Sequence, residues 1–330
     1  MKEQILALLT RRAGEYLSGE TISADLGVSR AAVWKAIDAL RREGVQIEAA
    51  PRRGYRLAAV PDRLTAGSIL PFLDRADGGD RVVVLDTVDS TNNYAKSLVL
   101  AGGFRDGTAI TADEQTQGRG RLGRSFLSPR GKGVYLTLLW KPDISPAAAL
   151  NFTACVAVAV CRALEDACGA RPGIKWTNDI VLGNRKLCGI LTEMAVEGET
   201  GALQYLITGI GVNVNHRPED FPPELRDMAT SLARELGRPM ERGRLCAALI
   251  GSLDRMYEQW LAGADFREEY RRRCLTLGRE VLLLRNGPGE PAFAEDIDDR
   301  FGLIVRHPDG RRETVTAGEV SVRGLWGYNP

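Results

Sequence analysis

The sequence predicts an α/β (α+β) protein of three domains, and three patterns carry that expectation. Residues 2–57 read as short helices followed by a two-stranded hairpin. Residues 81–215 alternate apolar strands with polar or glycine-rich turns around one long apolar helix, and beyond residue 278 only short alternating strands remain. At 330 residues the chain is also too long for one ordinary core. The boundaries fall at 1–62, 63–275 and 276–330.

In the first domain Ile5, Leu6, Leu8 and Leu9 recur at helical spacing, so a helix over residues 2–12 ends before Gly14. A second short helix, about Ile22–Leu26, stops at Gly27, which can take the left-handed conformation. Ser29 caps a third, Arg30–Glu43, with Val33, Ile37 and Leu40 on one face and Gly44 at its end. Two short helices joined by a glycine-containing turn make a helix-turn-helix. Val45–Ala49 and Gly54–Leu57 then alternate like strands about Pro51-Arg52-Arg53, the basic tip of a wing. Ser29, Arg30 and Lys35 are candidate DNA contacts on the third helix, and Arg52 and Arg53 on the flanking backbone. The competing reading is a small docking domain with surface arginines. Ten basic against eight acidic side chains in residues 1–62 do not separate the two, and the order of elements favours DNA. Pro61-Asp62 marks the linker.

The central domain is organised around Glu114-Gln115-Thr116-Gln117-Gly118-Arg119-Gly120-Arg121-Leu122-Gly123-Arg124. Glycines let the backbone close around a small anion while guanidinium groups supply paired donors to phosphate or carboxylate oxygens. Gly118, Gly120 and Gly123 formally satisfy a dinucleotide fingerprint, but a polar loop into strand Val134–Trp140 follows where that motif needs a helix. The alternative is a solvated basic loop. Upstream, strand Arg81–Leu85 runs into Asp89-Ser90-Thr91-Asn92, whose hydroxyl and amide groups suit a neutral ligand such as a urea, or else cap the next helix. Thr108–Ala112 is a further strand, and Ser145-Pro146 opens an apolar helix to about Ala167.

Next, Ile174-Lys175-Trp176-Thr177-Asn178-Asp179 places a lysine at a strand edge before a polar turn. Two unit negative charges about 4 Å apart repel by roughly 4 kcal/mol at an effective dielectric of about 20, a cost an ammonium between them offsets. A turn at Gly183-Asn184 leads to Lys186-Leu187-Cys188-Gly189-Ile190-Leu191-Thr192-Glu193. In Gly209-Ile210-Gly211-Val212-Asn213 the glycines allow either close approach of a flat ligand or tight strand packing, and Asn213 can pair with a purine edge. Leu245, Leu249, Leu253, Met256, Tyr257 and Trp260 form an amphipathic closing helix. The last domain reads as strands Glu280–Arg285, Ala292–Ile297, Leu303–Arg306 and Thr314–Val322, with turns at Asn286-Gly287 and Asp309-Gly310, in a small barrel.

Composition narrows the chemistry. With 44 basic against 43 acidic side chains, no global field advertises nucleic acid or membrane, so such contacts are local. Six scattered cysteines without a CxxC pair read as reduced core thiols of a cytoplasmic protein. The opening apolar run, Ile5–Leu9, is too short for a secretory signal, and no uninterrupted apolar segment of about 18 residues predicts a membrane span. Two histidines, no Ser-His-Asp order and no metal-ligand spacing argue against hydrolytic nucleophile chemistry. Positioning and anion stabilisation remain.

Taken in order, Asp89–Asn92, the Gln115–Arg124 loop, Lys175–Asp179, Lys186–Leu191 and Gly209–Asn213 resemble the bifunctional biotin protein ligases that also act as biotin operon repressors. The likeness covers nearly the whole chain. It implies a winged helix-turn-helix, a central mixed sheet of the class II aminoacyl-tRNA synthetase-like fold and an SH3-like small β-barrel. It also implies that biotin attacks the α-phosphorus of Mg-ATP, giving biotinyl-5'-AMP, and that a lysine of a biotin carboxyl carrier domain then takes the biotinyl group.

By the same resemblance Ser90, Thr91, Asn92, Gln115, Arg119, Gly120, Arg121, Lys175 and Gly189 contact biotin. Gly118, Arg119, Arg121, Arg124, Lys175 and Asn213 contact ATP or the adenylate, and Mg2+ arrives with ATP with no protein metal site. Lys175, Arg119 and Arg121 act on the reacting charges, and Asp179 helps take the proton from the incoming lysine. Partners are the carrier domain, operator DNA and a second copy of the chain when biotinyl-AMP is bound, with no membrane. Two departures stand out, Thr177 where the family commonly has Pro and Leu122 where it often has a basic residue. Rival readings are a lipoate or other acyl ligase, a biotin sensor without catalysis, and a ligase whose first domain only regulates or docks the carrier.

Overall fold

The computed structural model describes residues 1–42, 45–58, 62–75, 77, 79–284, 289–316 and 319–322. Gly44, Pro61 and the Asn286-Gly287 turn lie outside the described residues.

Helices α1 (Lys2–Arg11), α2 (Gly19–Leu26) and α3 (Arg30–Arg42) precede the hairpin of β1 (Ile47–Ala50) and β2 (Gly54–Leu57). The second helix begins three residues before the expected start because Ser18, not a later residue, caps it, its Oγ accepting from the Thr21 N–H at 3.0 Å. Gly27 stops it at φ 64°. Ser29 caps α3 as expected, its Oγ accepting from the Ala32 N–H at 3.2 Å. Ile5, Leu9, Ile22, Val33, Ile37 and Leu40 close a small separate core.

The central domain opens with the short α4 (Ala66–Ile69), then β3 (Val82–Val88), α5 (Thr91–Leu100), β4 (Thr108–Gln115), β5 (Gly133–Trp140) and α6 (Phe152–Cys168). It continues through β6 (Gly173–Lys175), β7 (Asp179–Leu182), β8 (Arg185–Val196) and β9 (Leu203–Asn213) to α7 (Leu232–Leu236), α8 (Arg242–Leu261) and α9 (Arg267–Arg273). Seven strands lie in the order β3-β4-β5-β9-β8-β7-β6, antiparallel except for the parallel β3/β4 pair. The sheet is mixed.

Ser145 and Pro146 do start a helix, but it is a 3-10 turn over Pro146–Ala149, and α6 begins only at Phe152. Between them Asn151 spends its side-chain oxygen on the Trp260 indole N–H, at 3.0 Å. The stretch Pro146–Cys168 is long and apolar enough to cross a membrane by length and composition, yet 67% of its most apolar 18-residue window is buried inside the protein. Its place is the core: α6 packs on α8, and Trp140, Phe152, Tyr257 and Trp260 cluster where the two meet, Phe152 edge-on to both indoles and Trp140 stacked on Tyr257. Each such fully buried large side chain contributes about 1.5–3 kcal/mol.

Behind this core lies a buried charge, Arg242. It donates to Asp113 at 2.8 Å, to Asp62 at 2.7 Å and to the Gly133 carbonyl at 3.1 Å, so Asp62, at the linker, is fastened to β4. The last domain is a five-stranded antiparallel sheet of β10 (Glu280–Leu284), β11 (Glu290–Ile297), β12 (Leu303–Arg306), β13 (Arg312–Val315) and β14 (Glu319–Val322), ordered β13-β12-β11-β10-β14. The single strand expected over Thr314–Val322 is two, β13 and β14, on opposite edges of that sheet.

Candidate functional site

A cavity, open to solvent at its mouth, lies over the centre of the large sheet. Its lining collects four of the five sequence motifs: Ser90, Thr91 and Asn92; Gln115 to Arg124 in part; Lys175, Asn178 and Asp179; and Lys186 with Gly189. From the fifth motif it takes Gly209, Ile210 and Gly211. Among the described lining residues, five cations (Arg119, Arg121, Arg124, Lys175, Lys186) face one carboxylate, Asp179. One end is therefore built for anions.

The other end is neutral. Ser90 occupies the N-cap position of α5, but its side chain makes no capping bond, so a hydroxyl that would ordinarily be spent on the helix lines the cavity. The Thr91 N–H and hydroxyl both donate to Gln115 Oε1, at 2.9 and 3.0 Å, and Gln115 Nε2 donates to Ser128 Oγ at 2.8 Å. Parallel pairing of β3 with β4 carries Ser90 and Gln115 to the same end of the sheet. Asn92 is nearly fully buried, with both ends of its amide engaged by protein groups.

The glycine-arginine loop is closed by its own backbone: Phe126 N–H donates to the Gly118 carbonyl at 2.8 Å and Gly120 N–H to the Arg124 carbonyl at 2.7 Å. Leu122 sits at its tip, exposed, with φ 55°. Lys175 ends β6 and is only 6% exposed, while Asp179 begins β7 and meets the Lys186 ammonium at 2.7 Å. The turn between them, whose Trp176–Thr177 peptide is cis, is held from behind. The Trp176 N–H donates to Thr276 Oγ1 at 2.9 Å, its indole N–H to the Phe301 carbonyl at 2.8 Å, and the Tyr270 hydroxyl to the Thr177 carbonyl at 3.2 Å.

Two expected residues stand apart. Gly118 is buried against Ser128 and Phe126, and Asn213 is buried at the end of β9; neither lines the cavity. The β9 glycines serve neighbouring side chains: a Cβ on Gly209 would overlap the Asn92 amide, and one on Gly211 the Phe126 ring. Reading the sequence missed Phe126, Trp176, Asn178 and Lys186 as lining residues. Lys186 was within reach of inference, because the two-residue turn at Gly183-Asn184 sets it opposite Val181, two residues along the strand from Asp179 and within reach of a lysine side chain. Burial pushes the Cys155, Cys161 and Cys246 thiols up to about 12, which leaves them protonated core groups.

At the other end of the chain Arg30 and Lys35 are exposed on α3, and Arg52 sits at the wing tip with φ 63°. Arg53 is also exposed, with its guanidinium 4.3 Å from the centre of the Tyr16 ring. Trp34, 63% exposed on the same helix, was not singled out from sequence.

Residues 84–213 match the Biotin/lipoate A/B protein ligase family, residues 2–56 an HTH domain and residues 276–323 the Biotin protein ligase C terminal domain. The chain is 38% identical to the bifunctional ligase/repressor BirA of Bacillus subtilis over 261 residues, 79% of each chain. With the bifunctional ligase/repressor BirA of Escherichia coli it shares 32% identity over 322 residues, 97% of this chain and 96% of that one. The chain belongs to the bifunctional biotin ligase/repressor family. A biotin protein ligase from Aquifex aeolicus, solved in complex with biotin and ATP, superposes with a TM-score of 0.63 at 29% identity, over 74% of this chain and 99% of that one. The family's three-part order, helix-turn-helix, ligase fold and small antiparallel sheet, is the order of elements seen here.

Proposed function

We propose that this chain activates biotin with ATP, releasing pyrophosphate and forming biotinyl-5'-AMP, and then passes the biotinyl group to a lysine of a biotin carboxyl carrier domain. The observation that carries the proposal is one cavity with a neutral donor-acceptor end at Ser90, Thr91 and Gln115 and a strongly cationic end at Lys175, Lys186 and the arginine loop. A carboxylate and an α-phosphate brought together repel, and a buried ammonium between them counters that repulsion as charge grows in the transition state. Lys175 would fill this role. Arg119, Arg121 and Arg124 would cover the phosphates. Mg2+ fits as a passenger of ATP, neutralising its phosphate charge, since one carboxylate, itself held by Lys186, is no acidic cage.

In the second half-reaction the carrier amine attacks the acyl carbonyl, the C–N bond forms and AMP leaves. Asp179 is the candidate acceptor for the amine's proton, and it takes that role only by giving up Lys186. We also assign repression to the first domain. Two copies joined when biotinyl-AMP is bound would present two reading helices to paired half-sites, and a ligand that favours the dimer must by linkage strengthen DNA binding. Such a substrate, a DNA partner and reduced thiols suit a cytoplasmic protein.

Incubation with ATP, biotin and an apo carrier domain should attach biotin, and Lys175→Ala should largely abolish biotin-dependent pyrophosphate release. No incorporation by the unmodified protein would sink the enzymatic proposal. A mobility shift with the DNA upstream of biotin genes that strengthens when biotin and ATP are added tests the repressor half.

A further inference from the structure

The neutral end of the cavity rests on a line of polar atoms that runs past the lining into the sheet. Asn92 Nδ2 donates to Glu193 Oε2 at 3.0 Å, and Asn92 Oδ1 lies 2.7 Å from Thr137 Oγ1. Thr137 Oγ1 lies 2.8 Å from Thr91 Oγ1, which lies 3.0 Å from Gln115 Oε1. Beyond the line, Glu193 Oε1 holds the Lys96 ammonium at 2.7 Å.

Both ends of the line have a fixed sense. A carboxylate only accepts, so the amide nitrogen of Asn92 must face Glu193 and its oxygen must face Thr137. The Thr91 backbone N–H likewise requires the oxygen of Gln115, and turns the nitrogen to Ser128. Four oxygens thus stand in sequence with three contacts between them and only two hydroxyl protons, one fewer than the contacts. No proton is spare. Thr91 Oγ1, the hydroxyl of this line that borders the cavity, can accept from a ligand but has no proton left to give it.

We propose that Glu193, backed by Lys96 and acting through Asn92, is a positioning residue that sets this acceptor polarity and so selects a ligand ring carrying N–H groups. A cyclic urea meets that demand, and a dithiolane does not. The inference deepens the biotin ligase reading and rests on it. Glu193 lies outside the lining and would act only through Asn92, while the absent Cβ of Gly209 leaves the Asn92 amide its seat.

Glu193→Gln keeps the size of the side chain but can present either nitrogen or oxygen, so the Asn92 amide is free to turn over and the proton count of the line changes. In steady-state pyrophosphate release the KM for biotin should rise about tenfold or more, with kcat within about threefold and the KM for ATP unmoved. Thr137→Val should give a similar rise, and the double variant should show no more than the larger single effect, because both changes cut one line. The thermal midpoint of Glu193→Gln should stay close to that of the unmodified protein. An unmodified protein that releases pyrophosphate with biotin, beside a Glu193→Gln variant with an unchanged biotin KM, overturns the positioning role and leaves the ligase reading standing. Additive KM effects with a lowered midpoint also overturn it, in favour of a merely structural glutamate. An unmodified protein inert to biotin and ATP overturns the ligase reading first and this inference with it.

Discussion

Arg121 and Asn178 meet across the mouth of the cavity, the guanidinium Nη1 donating to the amide oxygen at 2.7 Å, while Asn178 Nδ2 donates to the Ile190 carbonyl at 2.8 Å. The arginine loop, the turn after Lys175 and strand β8 are thereby tied at one point. A hydrogen bond to a charged group contributes about 1.5–3 kcal/mol, so Asn178→Ala should lower kcat/KM for biotin-dependent pyrophosphate release by roughly 10- to 100-fold. A fall of less than twofold would mean that the tether does not hold the loop for reaction.

Gly211 faces the Phe126 ring where a Cβ would overlap it. Gly211→Ala should therefore destabilise the protein by about 1–3 kcal/mol through overpacking, and trimming the ring in the same chain, Phe126→Leu, should return part of that loss. Urea unfolding of the single and double variants measures both. Equal stability of Gly211→Ala and the parent would show that the ring moves aside freely.

Arg30 and Lys35 are exposed on the candidate reading helix. Replacing either with Ala should weaken operator binding and shrink the salt dependence of affinity by about one unit of slope where a phosphate contact is lost. Biotin transfer to the carrier should be unaltered in both variants. Titrations by mobility shift at several salt concentrations, run beside a transfer assay, check the separation.

His216 is 1% exposed, and its ring lies 5.0 Å from the Phe221 ring in a stacked pair. Burial pushes its pKa down from the ordinary 6.5 to about 4, with Lys132 and Arg242 adding to the shift and Asp220 opposing it. Between those values the unfolded chain holds the proton and the folded chain does not. Stability is therefore lost as the pH falls from about 6.5 to about 4, by up to about 3 kcal/mol from this one group. His216→Phe should keep the stack and flatten that part of the curve, as read from denaturant midpoints at pH 7 and pH 4.5.

Much of the architecture was legible because it is written locally. Glycine at 27 and caps at Ser29 and Ser145 are signals within one turn of the element they control, and the Gly183-Asn184 pair specifies its hairpin. The cavity was legible as a set of motifs and not as a set of contacts. Ser90 looked like a helix cap, and only the pairing of β3 with β4 brings its uncommitted hydroxyl to the end of the sheet that holds Gln115. Thr137 and Glu193 carry no motif at all. They matter because β5, α5 and β8 converge, which is a tertiary fact with no short-range signature. Late entry into α6 and the division of the final strand fail for the same reason, since each depends on a distant partner: Trp260 for Asn151, and two different edges of one sheet for β13 and β14.

The carbonyl of Phe301, on a left-handed residue with φ 62°, is what the Trp176 indole leans on. A shortened chain lacking its final sixth would keep almost every wall of the chamber and still lose the peg behind its principal ammonium. The tail is thus an anvil for the middle of the molecule, and grafting another tail in its place preserves turnover only if the graft offers an oxygen at that spot.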